Sequence, residues 1–169
     1  MIMVFTVHTV DTAPPESRPA LDAIRAKFGG VPRAAALQAE SPALLNGFLA
    51  ASAAFEAASL PPVVREAVIL AVAHRNGCEV CVRIHSAELT RMDRADVVRD
   101  IAAGLGSDDA AVAATVTFVG RLFDGAGRVA DAELQEFFDA GFTPRNALEV
   151  VFGVGVYTVS TFANRLVGA

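Results

Sequence analysis

The stretch Leu60 to Arg91, LPPVVREAVILAVAHRNGCEVCVRIHSAELTR, decides how the chain reads. Pro61 and Pro62 open a helix, because the first turn is where a missing N–H costs no intrahelical bond. From Val63 to Ala73 that helix is apolar on most sides, the pattern of a helix buried in a protein interior. Asn76-Gly77 stops it with a left-handed C-terminal signal. A second helix follows from Cys78 to about Arg91, and a turn this short makes the two helices an antiparallel hairpin.

On the second helix, at 100° per residue, Cys78, Cys81, His85 and Glu88 fall within about an 80° sector of one face. The i, i+3 spacing of the cysteines brings their sulfurs within disulfide range. The i, i+4 spacing sets the His85 ring beside Cys81. Both cysteines lie at the helix start, where free N–H groups and the positive end of the helix dipole stabilise a thiolate. His85 adds a proton acceptor or a positive neighbour. On the preceding helix Glu66 sits among Val63, Ile69, Leu70 and Ala73. A carboxylate in such surroundings is costly unless it is paired. Glu66 lies about ten residues before the turn and His85 about eight after it, so at ~1.5 Å per residue they stand at nearly the same height. Glu66 is therefore expected to face His85 or the thiols, fixing the imidazole and relaying protons.

This combination resembles the alkylhydroperoxidase D and carboxymuconolactone decarboxylase superfamily, in its cysteine-pair, peroxidase-related branch. The residues that carry the resemblance are Glu66, Cys78, Cys81 and His85, followed by Ser86-Ala87-Glu88. The core of the likeness spans Leu44 to Arg91, and a weaker one reaches Asn164-Arg165-Leu166. The resemblance implies an all-α helical bundle around a central antiparallel hairpin, assembled as a homo-oligomer. It also implies reduction of hydroperoxides with electrons from a dithiol donor, such as a lipoyl group or a small redox protein. By that analogy Cys81 is the attacking thiol, Cys78 resolves it as a disulfide, and His85 and Glu66 form the proton relay. Relatives that carry a further histidine between the two cysteines differ from this chain, which has Glu79 and Val80 there.

Around this hairpin, signals for helix ends recur along the 169 residues. Ser17 reads as an N-cap for a helix through Lys27, ended by Gly29-Gly30. A short helix follows from Pro32, and Ser41-Pro42 opens another with Leu44, Leu45, Phe48, Ala51 and Phe55 at helical spacing. After the hairpin, Asp93 reads as the cap of a helix up to the Gly104–Gly106 break, and Ser107 as the start of one through Phe123. Asp131 to Ala140 and Thr143-Pro144 to Leu166 complete the set. The last contains Val150, Val151, Val154, Val156 and Val159, a strand-like composition. Its Thr-Pro start and its length favour helix. Met1 to Val10 reads as a short extended segment. The whole, residues 1–169, is read as a single all-α domain.

Composition narrows the function classes. A net charge of −5 leaves no phosphate-binding footprint, so nucleic acid is not an expected partner. The longest uncharged runs, Ser41 to Phe55 and Val150 to Asn164, fall short of the ~18–20 residues of a membrane span. No basic n-region or cleavage site marks Met1 to Val10 as a signal. A cytoplasmic location follows as the expectation, and there a close cysteine pair is more often chemical than structural. A hydrophobic fraction of 53%, rich in alanine and valine, points again to apolar subunit contacts.

Other readings remain open at this level. Cys78, Cys81, His85 and Glu66 have the donor types of a zinc site, and the cysteines alone have the size of packing residues. Glu66 has Arg83 as an alternative partner. His74 suits the dipole at its helix end, His8 has no evident partner, and Tyr157 suits either the site or an interface. No organic cofactor or metal is required by the thiol reading. A lactone decarboxylase using Glu66 and His85 as acid and base, and a non-enzymatic zinc- or redox-responsive module, are the competing functions.

Overall fold

A computed structural model of the protein describes residues 4–104 and 106–169. Among these residues there are nine α-helices and no strand. After a 3-10 turn at Pro15–Ser17 come α1 (Arg18–Phe28), α2 (Arg33–Gln38), α3 (Pro42–Glu56), α4 (Pro62–Arg75) and α5 (Glu79–Arg91). Then follow α6 (Ala95–Ala103), α7 (Ala110–Asp124), α8 (Asp131–Asp139) and α9 (Pro144–Val167). The valine-rich C-terminal run is thus helical. Thr143 Oγ1 accepts from the Asn146 N–H at 3.2 Å while Asn146 Oδ1 accepts from the Thr143 N–H at 3.0 Å. That reciprocal cap satisfies two otherwise orphaned donors and starts the helix in spite of its β-branched residues.

Two boundaries differ from the sequence expectation, each for a local reason. Asp93 adopts the left-handed conformation, φ 59°, in the turn after α5, and Arg94 occupies the cap position of α6. Asp109, not Ser107, caps α7, its carboxylate accepting from the N–H groups of Ala111 and Val112; a carboxylate also complements the dipole there. Ser17 holds the N-cap position of α1 as expected, but its buried hydroxyl donates to Ala39 O at 2.8 Å and caps no N–H of the helix. Of the expected extended N-terminus, Met1, Ile2 and Met3 lie outside the described residues. From Val4 to Val10 the backbone is irregular, tied to α2 by the His8 N–H donating to Ala36 O.

Helix α4 is the axis of the fold. Val64 and every residue from Ala67 to Ala73 are buried, because α5, α7 and α9 pack around it. A helix so enclosed needs apolar residues on all sides, as its sequence has. Its partner α9 crosses the core with Val150, Val156 and Tyr157 inward. Gly153 of α9 lets the helix approach α3: a Cβ there would fall 2.5 Å from Phe55 Cζ. At 24 residues α9 is long and apolar enough to span a membrane, which the shorter uncharged run within it did not suggest. In this fold it packs against α2, α3, α4 and α7.

Candidate active site

Gly77 takes φ 64°, the left-handed turn that reverses the chain between α4 and α5. The Cys78 N–H then donates back to Ala73 O at 2.9 Å, closing the end of α4. Cys78 is the N-cap of α5 with extended backbone, and Cys81 is the third residue of the helix. Their Cα atoms are 5.3 Å apart and the two are joined as a disulfide. Both are buried, Cys78 at 1% and Cys81 at 6% exposure, at the end of the helix whose leading N–H groups have no intrahelical acceptor.

Glu66 of α4 and His85 of α5 meet across the hairpin, as their matched heights require. His85 Nδ1 lies 2.8 Å from Glu66 Oε2, with both side chains largely buried. With Nδ1–H donating to the carboxylate, Nε2 is the nitrogen left to accept a proton. The partner of Glu66 is thus His85 and not Arg83. Tyr157 of α9 packs its ring edge-on against His85, centroids 5.6 Å apart. Its hydroxyl lies 3.1 Å from Ser52 Oγ. Burial pushes the Tyr157 phenol above its usual range, so it is protonated at neutral pH. The Phe48 and Phe55 rings, each 5.9 Å away, brace it from α3.

The sequence reading missed the third wall of the site. Asn164 of α9, 6% exposed, donates from Nδ2 to Cys81 Sγ at 3.3 Å and, at a longer 3.9 Å, to Cys78 Sγ. Gln38 of α2 in turn donates from Nε2 to Asn164 Oδ1 at 2.6 Å. Nearby, Asn76 donates to Thr161 Oγ1 at 2.9 Å, and Arg165 donates to Asn76 O. The last turns of α9 thereby clasp the loop that leads into Cys78. The available signal was Tyr157, Ser160, Thr161 and Asn164, a polar stripe at i, i+3, i+4, i+7 in an otherwise apolar helix.

Other residues fall outside this cluster. Glu88 is ion-paired with Arg91, whose hydrogen bond holds the carboxyl below its usual range. His74 does not serve the helix dipole with a charge: burial lowers its pKa, and its buried Nε2 has no hydrogen-bond partner among the described residues. His8, for which the sequence suggested no partner, pairs with Glu40 at 2.7 Å. A pocket of about 290 Å³ opens beside the disulfide, lined by Gly77, Cys78, Glu79, Val80, Asn164 and Arg165. Among the described residues no group of three or more His, Cys, Asp and Glu is arranged to hold a metal ion.

The carboxymuconolactone decarboxylase family model matches residues 39–117, which takes in Glu66, Cys78, Cys81 and His85. No curated protein matches the sequence. Among solved structures, the chain resembles an alkylhydroperoxidase AhpD core, an uncharacterized peroxidase-related protein from Ralstonia eutropha JMP134. The TM-score is 0.85 at 21% identity, covering 97% of this chain and 89% of that one. An uncharacterized peroxidase-related protein from Silicibacter sp. TM1040 gives a TM-score of 0.79 at 17% identity, covering 98% and 88%. By fold the chain is therefore AhpD-like, and its residues 39–117, which include the Cys78–Cys81 pair, are similar to the carboxymuconolactone decarboxylase family.

Proposed function

We propose that this protein is a cytoplasmic thiol peroxidase that reduces hydroperoxides through Cys78 and Cys81. The observation that carries the reading is one continuous cluster: a bonded cysteine pair at a helix start, with the Glu66–His85 pair one turn along the same hairpin. In the reduced enzyme Cys81 thiolate attacks the terminal oxygen of the peroxide. The O–O bond breaks, and the departing alkoxide takes a proton, delivered from the His85–Glu66 pair, to leave as the alcohol. Cys81 becomes a sulfenic acid, oxidised by two electrons. The Cys78 thiol displaces its oxygen as water and forms the disulfide. An external dithiol then exchanges with that disulfide, leaving two thiols here and a disulfide on the donor. The pocket beside Cys78 gives such a donor an approach to the sulfur.

The protein is proposed to work as a homo-oligomer. On the outer side of α9, Leu148, Val151, Phe152, Val159, Phe162 and Leu166 are exposed. An apolar stripe of that length fits a second copy of the same chain better than water.

Free thiols counted under denaturing conditions, before and after one equivalent of cumene hydroperoxide, test the enzymatic reading. Both thiols should disappear together, return with a dithiol, and peroxide consumption should cease in Cys81→Ser. Two thiols that survive the peroxide would remove the peroxidase reading. The family match keeps a second reading in play, acid–base decarboxylation by Glu66 and His85. Turnover of a lactone carboxylate that persists when both cysteines are serine would favour it.

A further inference from the structure

Resting on the thiol reading of this site, we propose that Asn164 is the thiolate-binding residue of Cys81, and that Gln38 sets the orientation in which it binds. Three observations converge. First, Asn164 Nδ2 donates to both sulfurs, at 3.3 Å to Cys81 Sγ and at a longer 3.9 Å to Cys78 Sγ, so the donor favours Cys81. Second, both amides are buried, each at 6% exposure, so neither exchanges its partners for water at little cost. Third, Gln38 Nε2 donates to Asn164 Oδ1 at 2.6 Å. An amide whose oxygen is claimed by a donor has only its NH₂ group left for the sulfur. The Gln38 bond therefore excludes the flipped amide, which would set an oxygen lone pair against the sulfur.

The chemistry of sulfur gives this arrangement its meaning. A thiol or disulfide sulfur is a weak acceptor, and a buried N–H spent on one is poorly compensated. A thiolate is a charged acceptor, and a bond to it is about twice as strong as a neutral one. The network is thus matched to the state in which Cys81 carries the charge. The ionisable groups around the pair are Glu79 and Arg165, which line the pocket at Cys78, and the Glu66–His85 pair. Arg165 is engaged with the Asn76 carbonyl. Asn164 is the neutral donor that discriminates between the two sulfurs, and this makes Cys81 the thiol of lower pKa.

The test reads thiol ionisation, not turnover. In the reduced protein, alkylation by iodoacetamide is followed against pH and assigned to Cys78 or Cys81 by mass spectrometry. Asn164→Ala should raise the Cys81 midpoint by about one to two pH units, the worth of one hydrogen bond to a charged group. Gln38→Met should raise it by less, because the amide is then free to turn. In the unmodified protein, the Asn164 side-chain amide proton should shift in NMR spectra with the Cys81 midpoint. A Cys81 profile in Asn164→Ala that superimposes on the original would overturn the proposal, as would a lower midpoint at Cys78. If neither variant folds, an Asn164 amide resonance that stays fixed through the Cys81 titration would overturn it equally. A protein that fails to consume hydroperoxide but keeps these shifts would lose the peroxidase reading while retaining the thiolate site.

Discussion

Glu66 reaches His85 Nδ1 at 2.8 Å from another helix, so the imidazole meets its reaction with tautomer and ring plane already chosen. The charge of the carboxylate then stabilises the ring whenever Nε2 holds a proton. Glu66→Gln keeps a hydrogen-bond acceptor for Nδ1–H and removes only that charge. It should lower the peroxide-dependent rate by about tenfold to a hundredfold, with the helical content unchanged. A rate equal to that of the original protein, in stopped-flow peroxide consumption, would reduce the pair to a structural contact. Cys78, Cys81, His85 and Glu66 were legible as a group because i, i+3 and i, i+4 spacings and a matched height along a hairpin are arithmetic on one stretch of chain. Asn164 and Gln38 were not, since Asn164 reaches the sulfurs from more than eighty residues away and Gln38 acts on them only through Asn164, 126 residues distant from it.

The elements are held in place by polar ties at their ends. Glu149 of α9 accepts from the N–H and hydroxyl of Ser59, in the loop between α3 and α4, at 3.0 and 2.7 Å. Burial opposes its ionisation, but these bonds, with those from Arg145 and Asn146, prevail and hold its pKa below the ordinary 4.5. A carboxyl with a depressed folded-state pKa stabilises the fold above its unfolded value, and that contribution is lost as pH falls through the folded value. The difference in urea midpoint between the original protein and Glu149→Gln should therefore be full at neutral pH and shrink below about pH 4.5. A difference independent of pH would show that the charge plays no part. At this scale the helix order was readable from prolines, glycines and capping side chains. The shifted starts of α6 and α7 arise because Asp93 is drawn into a left-handed turn and a neighbouring aspartate, Asp109, satisfies the N–H groups of α7.

Across the whole molecule, α9 has two unlike sides. One carries Val150, Tyr157, Thr161 and Asn164 into the core and the site. The other leaves Leu148 at 71%, Phe162 at 58% and Leu166 at 73% exposure. A homo-oligomer built on that outer stripe would bring subunit contacts within one helix thickness of the thiols. Phe162→Glu should then dissociate the assembly in sedimentation velocity while the far-ultraviolet dichroism stays helical. A protein that sediments as a monomer before any substitution would dispose of the homo-oligomer.

Local chemistry decided much of this protein in advance. The all-helical order, the buried character of α4, the hairpin and the pairing of Glu66 with His85 follow from spacing and from the cost of burying polar groups. The placement of α9 and α2 against the hairpin was decided only in the tertiary structure. Packing Gly153 on Phe55 sets how closely α9 lies to α3, and the Gln38 bond to Asn164 joins α2 to the last turns of α9. Which amide reaches Cys81 depends on those long-range contacts, and no periodicity within a single helix encodes them.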